Sequence, residues 1–512
     1  MTVVAEGKGL IYQGTDWNFE TLRRSYDAIE EIATKELGLE LFANRIEVIT
    51  SEQMLDVYTA HGMPLTYRHW SYGKRFLQHE SSYRRGYTSL AYEVVINSDP
   101  CISYLMEENT ATMQALVIAH AAFGHNHFFR NNHLFRQWTE PSAILDYLEF
   151  ARTFVGHCET RYGVAAVERV LDAAHSLSRQ GVHRHGGSRQ LNLKEEQKRE
   201  RERRDYDERV YDDLWRTLPT VAKAAPGSDK VEERRRRLGL PEENLLYFLE
   251  KASPRLHSWE REVIRIVRLI AQYFYPQPQV KVMNEGCATW VHQRIMTRLH
   301  ETGQIDDAAF LETLHSTANV IMQPGFDHPA GGPGFNPYAL GYAVMTDIAR
   351  ICEEPTKEDT TWFPDIAGNG DPMGTLRHVW ANYRDESFLL QFLSPKVMRD
   401  FRMFRLMDDT DDPTLLVDAI HDDEGYRAMR RSLARSYDPG LSDADIQVVD
   451  VDLSGDRKLL LEHRTRPGQL LAAKDAAATL QHVATLWGYE VHMQELDTAT
   501  DAVLATHTAR PK

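Results

Sequence analysis

TATMQALVIAHAAFGHNHFFRNNH, residues 110–133, is rich in helix formers and predicts a helix from Thr110 to Phe129. It also holds His120, His125, His127 and His133 within 14 residues, where 22 histidines in 512 residues would give about 0.6. Neutral imidazole is the commonest protein ligand for zinc and similar metals, so the cluster is a candidate metal site. Helical geometry restrains that reading. At about 100° per residue His120 and His127 share a face, but His120 and His125 lie about 140° apart. Gly124 stands between them and could end or distort the helix, letting His125 swing back. The spacing is H-x4-H rather than the H-x3-H of HExxH, and Ala121 fills the slot where that motif places its glutamate base. The bland alternative is a polar, hydrogen-bonded core of a helical bundle.

Helical patterning continues on both sides. Trp17 to Leu37 carries apolar residues at helical spacing, and helices are expected from Pro141 to about Arg161 and from Val164 to Leu177. Ser258 to Phe274 is apolar on most faces, as a buried helix is, and Pro276 and Pro278 end it. The next helix is expected from near Asn284 to about His300, and residues 339–435 read as helical again. SLAYEVVINSDPCISYLME, residues 89–107, has the β-branched content of one strand with a turn at Ser98–Pro100. The tail reads strand (IQVVDVDL), turn (SGDR), strand (KLLLEHRT), helix (LLAAKDAAATLQHVATLWG), strand (YEVHMQEL). The expected fold class is therefore mainly α. A mixed helical and loop region (1–108) precedes a multi-helix central domain (109–440), and a small α+β module of ββαβ order (441–512) follows.

Residues 180–240 change character. LKEEQKRERERRDYDER and EERRRRLG are mixed charge runs, read as a solvated helix or linker inserted in the central domain, with partner docking as the sharper alternative. Leu55 to Arg85 mixes aromatics with arginines, as in TYRHWSYGKRF: a packed cation–π surface, or a face for an anionic partner. QPGFDHPAGGPGFNP, residues 323–337, is a long loop by composition. Four separated cysteines argue against a disulfide framework or a Cys-rich zinc site. No apolar run reaches 18 residues, and Met1–Gly9 lacks the basic start and apolar stretch of a secretory signal. A cytoplasmic location without a membrane span is expected. The formal net charge of −16 argues against non-specific nucleic-acid binding.

Other acid and histidine groupings extend the candidate site. MNEGCATWVHQRIM places Glu285 and His292 on one helical face, two turns and roughly 10 Å apart. Glu285 as a ligand with His292 behind it is the economical arrangement. GHCETRYG offers His157 and Glu159, the latter as ligand, proton carrier or partner of an arginine. His257 and Glu260 are adjacent on a helix and more often pair with each other than with a metal. No GxGxxG, Walker, GxSxG or kinase signature is present.

The blocks LIYQGTDWNFETL, AHAAFGHNHFFRNN, YFYPQPQVKVMNEGCATWVHQRIM, NPYALGYAVMTDIARIC, PTKEDTTWFPDIAG and RDESFLLQFLSPKVMRDFRMF resemble, in order, those of the stage V sporulation protein R (SpoVR) family. The resemblance implies a bacterial cytoplasmic protein linked in spore formers to the spore cortex and peptidoglycan. It also implies partners: a serine protein kinase and a von Willebrand-A-type protein. The chain departs from the family pattern at Cys287 and at His127, which leaves His120 and His125 as the better ligands. Two functions are expected. One is a metal-dependent hydrolase of a peptide or peptidoglycan-related amide. There His120, His125 or His127 with Glu285 would hold a divalent metal, zinc first and iron or manganese as alternatives. Glu159 or His292 would carry protons, and Tyr338 would stabilise an oxyanion. The other is a non-enzymatic regulator or scaffold docking those partners, with structural histidines.

Overall fold

The structure, a computed structural model, describes residues 9–59, 66–70, 93–184, 235–236, 238–323, 334–403, 405–407, 416–419, 422–451, 455–465 and 469–511. The chain is mainly α. It forms two units, each from two stretches: residues 1–153 with 276–439, and residues 154–275 with 440–512. The charged insertion, the 323–337 loop and the aromatic stretch from Leu55 to Arg85 lie largely outside the described residues.

In the first unit, β1 (Asn44–Ile49), β2 (Glu93–Ile96) and β3 (Cys101–Met106) form a sheet in the order β1-β3-β2. β3 runs parallel to β1 and antiparallel to β2. Where one strand was expected over 89–107, residues on both sides of the turn pair with each other. Every side chain of β3 is buried, so it reads as a continuous apolar run rather than an alternation. β4 (Arg405–Met407) and β5 (Leu416–Ala419) form a separate antiparallel pair.

The helix expected over 110–129 is continuous, but it is not α throughout. Thr110 caps it, its hydroxyl oxygen accepting the Met113 N–H at 3.1 Å. Ala111–Val117 is α-helical, Ile118–His125 is a π-helix, and Asn126–Asn131 is α-helical again. Gly124 does not end the helix. It sits in the π segment, and a Cβ there would come 2.5 Å from the Cα of Ala288. Every residue from Ala111 to Phe129 is buried.

Helix Lys281–Glu301 packs against this segment through Ala288 and against helix Pro337–Glu353 through a pair of glycines. A Cβ on Gly286 would lie 2.6 Å from the Cα of Gly341. Only bare backbones permit that approach. Val280 supplies no capping side chain to helix Lys281–Glu301. The buried carboxylate of Asp385 does so instead, accepting the Val282 and Met283 N–H groups at 2.9 Å each. Burial pushes that carboxyl up to about 7 against the pull of these hydrogen bonds.

In the second unit, β6 (Ile446–Val451), β7 (Leu459–Thr465), β8 (Val491–Asp497) and β9 (Val503–Ala509) form a sheet in that order. Helix Ala473–Trp487 joins the parallel strands β7 and β8. The expected ββαβ order is therefore extended to ββαββ. β9 is an edge strand with mostly exposed side chains, so its pattern lacks the apolar face that marks β7 and β8. Trp487 is buried against Phe248, ring centroids 5.8 Å apart. No helix among the described residues is long and apolar enough to cross a membrane.

Candidate metal centre

The π segment decides which histidines meet. An i→i+5 hydrogen bond stacks residues five apart on successive turns, where an α-helix stacks those four apart. His120 and His125, on divergent faces of an α-helix, thus come together with ring centroids 4.7 Å apart. His127 turns away. Its Nδ1 accepts the Glu40 N–H at 3.1 Å, and its ring meets Trp380 edge-on. Burial pulls its pKa down to about 4. His127 therefore does not join the ligand set proposed for it. Its α-helical register with His120 is lost in the π turn.

Two carboxylates complete the cluster. Glu93 on β2 brings Oε1 to 3.1 Å from His120 Nε2 and 3.9 Å from His125 Nε2. Glu285 Oε2 lies 3.5 Å from His125 Nε2 and 4.0 Å from His120 Nε2. Glu285 Oε2 is buried without a hydrogen-bond partner. A tetrahedral ion with bonds of about 2.1 Å holds its donors roughly 3.4 Å apart, so these separations fit a metal.

The far side of each imidazole is anchored. His125 Nδ1 lies 2.9 Å from Asn284 Oδ1, which can only accept, so Nδ1 carries the proton and Nε2 its lone pair. His120 Nδ1 lies 2.8 Å from His292 Nδ1, and His292 Nε2 lies 3.1 Å from Thr317 Oγ1. One tautomer set satisfies this chain with His120 Nε2 unprotonated. His120 Nδ1–H donates to His292, whose Nε2–H donates to Thr317. Such outer hydrogen bonds are what metal-binding histidines use to fix their tautomer.

Electrostatics favour neutral nitrogen donors. Burial, then the charges of His125 and His292, hold His120 well below its ordinary range. Burial, then His125, brings His292 down to about 3. Burial, reinforced by Glu285, pushes Glu93 well above the ordinary carboxyl range. Among the described residues no lysine or arginine pairs with either carboxylate.

The first unit thus brings together His120, His125, Glu285 and His292 from the sequence-based set. The ring of half-buried Tyr338 stacks near that of His120, centroids 6.4 Å apart. Glu159 is half-buried in the part of helix Ile144–Tyr162 that belongs to the second unit. His257 and Glu260 form a helix cap, the Glu260 carboxylate accepting the His257 N–H at 2.7 Å. Glu93, Asn284 and Thr317 escaped sequence reasoning. Asn284 could have been found beside Glu285. Glu93, 27 residues before His120 in a strand, offered no spacing to read.

Comparison with known proteins follows the same outline. The family described as "SpoVR like protein" matches residues 16–441, and "SpoVR-like C-terminal domain" matches residues 444–498. "Uncharacterized protein YcgB" of Escherichia coli (strain K12) is 48% identical over 485 residues, covering 94% of this chain and 93% of its own. No solved structure matches.

Proposed function

The chain belongs to the SpoVR family, and from that premise we propose that its buried histidine–glutamate pocket is a divalent-metal centre serving hydrolysis. One observation carries the reading. The orphaned Glu285 Oε2 faces two imidazole Nε2 atoms whose Nδ1 positions are both tied back. His120, His125 and Glu285 are the protein donors, a His2Glu set that suits zinc first and also iron or manganese. Such an ion polarises a bound water so that it becomes a nucleophile near neutral pH.

The remaining residues have separate tasks. Glu93, whose carboxyl burial and Glu285 push well above the ordinary range, stands beside the donors and is the acid–base group, in place of Glu159. His292 and Thr317 hold His120 in the donor tautomer. Tyr338, whose ring stacks near that of His120, is the candidate oxyanion donor. The substrate class, a peptide or peptidoglycan-related amide, rests on the family resemblance alone.

Elemental analysis of purified full-length protein tests the reading, beside a His120→Ala/Glu285→Ala double variant. One equivalent of metal, lost in the variant with helix content unchanged, is expected. Metal-free wild type that still complements a deletion would overturn it in favour of the scaffold reading.

A further inference from the structure

We propose that the arginine-lined cavity on helix Asp423–Ser436 binds the phosphoryl dianion of a small molecule. The cavity, of about 360 Å³, is lined by Thr361, Trp362, Leu390, Arg427, Arg430 and Arg431. Arg427 stands three and four residues from Arg430 and Arg431, so all three project from one helical face. None of them pairs with a carboxylate among the described residues, in a chain of net charge −16. Two neighbouring carboxylates are already engaged: Glu358 by Arg399 at 2.6 Å and Asp359 by Arg350 at 2.8 Å.

Arg430 is the sharpest feature. Its Nε donates to Leu393 O at 2.9 Å, but its Nη2 is buried with no acceptor. Its guanidinium lies over the Trp362 ring at 4.6 Å from the centroid, and that of Arg427 lies over the same ring at 5.2 Å. Burial and the Arg427 charge pull Arg430 down to about 10, which leaves it charged at neutral pH. Like charges on one helical face repel, and a buried donor without an acceptor is costly. A bound oxyanion in the cavity relieves the repulsion.

The class of anion follows from the donors. Guanidinium forks bind phosphate and carboxylate oxygens in pairs, and three guanidinium charges exceed what one carboxylate neutralises. A phosphoryl group offers three terminal oxygens and nearly two charges. Leu390, 42% exposed, and the indole edge give an apolar wall for the rest of a small ligand, and the volume suits one.

The test is calorimetric titration of the full chain with inorganic phosphate and with phenyl phosphate, ionic strength being fixed with chloride. Saturable binding is expected. It should weaken about tenfold or more in Arg427→Gln and Arg431→Gln, both at exposed positions, and in Arg430→Gln, which removes a third charge. Tighter binding of phenyl phosphate identifies a phosphate ester as the ligand, and equal binding identifies the free ion. Either result supports the site. The proposal is overturned if neither probe saturates, or if all three variants bind as wild type does. Metal content should not change in these variants, which separates this site from the metal centre.

Discussion

His120 Nδ1 and His292 Nδ1 lie 2.8 Å apart, both rings buried, so one must donate to the other. His292 Nε2 reaches Thr317 Oγ1 at 3.1 Å, which lets His292 accept on one side and donate on the other. The pair therefore acts on the metal centre from behind. In His292→Gln, zinc stoichiometry should persist while affinity falls about 10–100-fold in a chelator competition. Unchanged affinity would sink the relay, and complete loss of metal would move His292 into the coordination sphere.

Gly124 is the contact that lets the π segment meet helix Lys281–Glu301. A Cβ at that position would press on Ala288 Cα at 2.5 Å, and backbone cannot rotate aside as a side chain can. Gly124→Ala should cost about 3 kcal/mol or more in urea unfolding and lower metal affinity at the same time. A variant of wild-type stability would show that the helices have room to separate.

The helices were legible because their apolar periodicity is long. The metal site was legible only in part. Four histidines in 14 residues announce chemistry, and Glu285 beside Asn284 announces a second wall of the site. Choosing among the histidines needed the backbone, because α-helical spacing pairs His120 with His127 and the π turn pairs it with His125. No propensity rule marks Ile118–His125 as π rather than α. Within the widened turn Gly124 packs directly on Ala288. Glu93 was invisible because strand pairing places it, not spacing. β9 was missed because Val503, Leu504, Thr506 and Thr508 lack an inward apolar face.

Acid should weaken the first unit through its buried histidines. Burial pulls His127 down to about 4 and His292 to about 3, whereas the unfolded chain protonates both near 6.5. Between those limits the unfolded state binds more protons. Stability is then full above about 6.5 and falls as pH drops through the window. His127 alone accounts for about 3 kcal/mol at the lower end. Urea midpoints measured in chelator from pH 7 to 4 should fall less steeply in His127→Gln, and parallel curves would remove His127 from the account.

Asp385 caps a helix from 100 residues away in sequence, and its two N–H partners are buried with it. Asp385→Ala strands both donors and should destabilise by about 3 kcal/mol, with metal affinity falling because Glu285 sits one turn further along. Asp385→Asn keeps one acceptor and should lose about half as much. Equal losses in the two variants would show that charge, not hydrogen bonding, does the capping.

Glu93 and Glu285 face the same two imidazoles, and burial together with the neighbouring Glu285 drives Glu93 well above the ordinary carboxyl range. A cation entering the pocket reverses that pressure. It favours the ionised form, so Glu93 gives up a proton when metal binds. Calorimetric titration of zinc into metal-free protein at pH 7, in buffers of different ionisation enthalpy, counts the protons released. Wild type should release about one more than Glu93→Gln. Glu285→Gln should instead abolish tight binding, because it removes a donor whose buried oxygen has no other partner. Equal proton release from wild type and Glu93→Gln would mean that Glu93 is already ionised in the metal-free pocket, and its acid–base role would fall with that result.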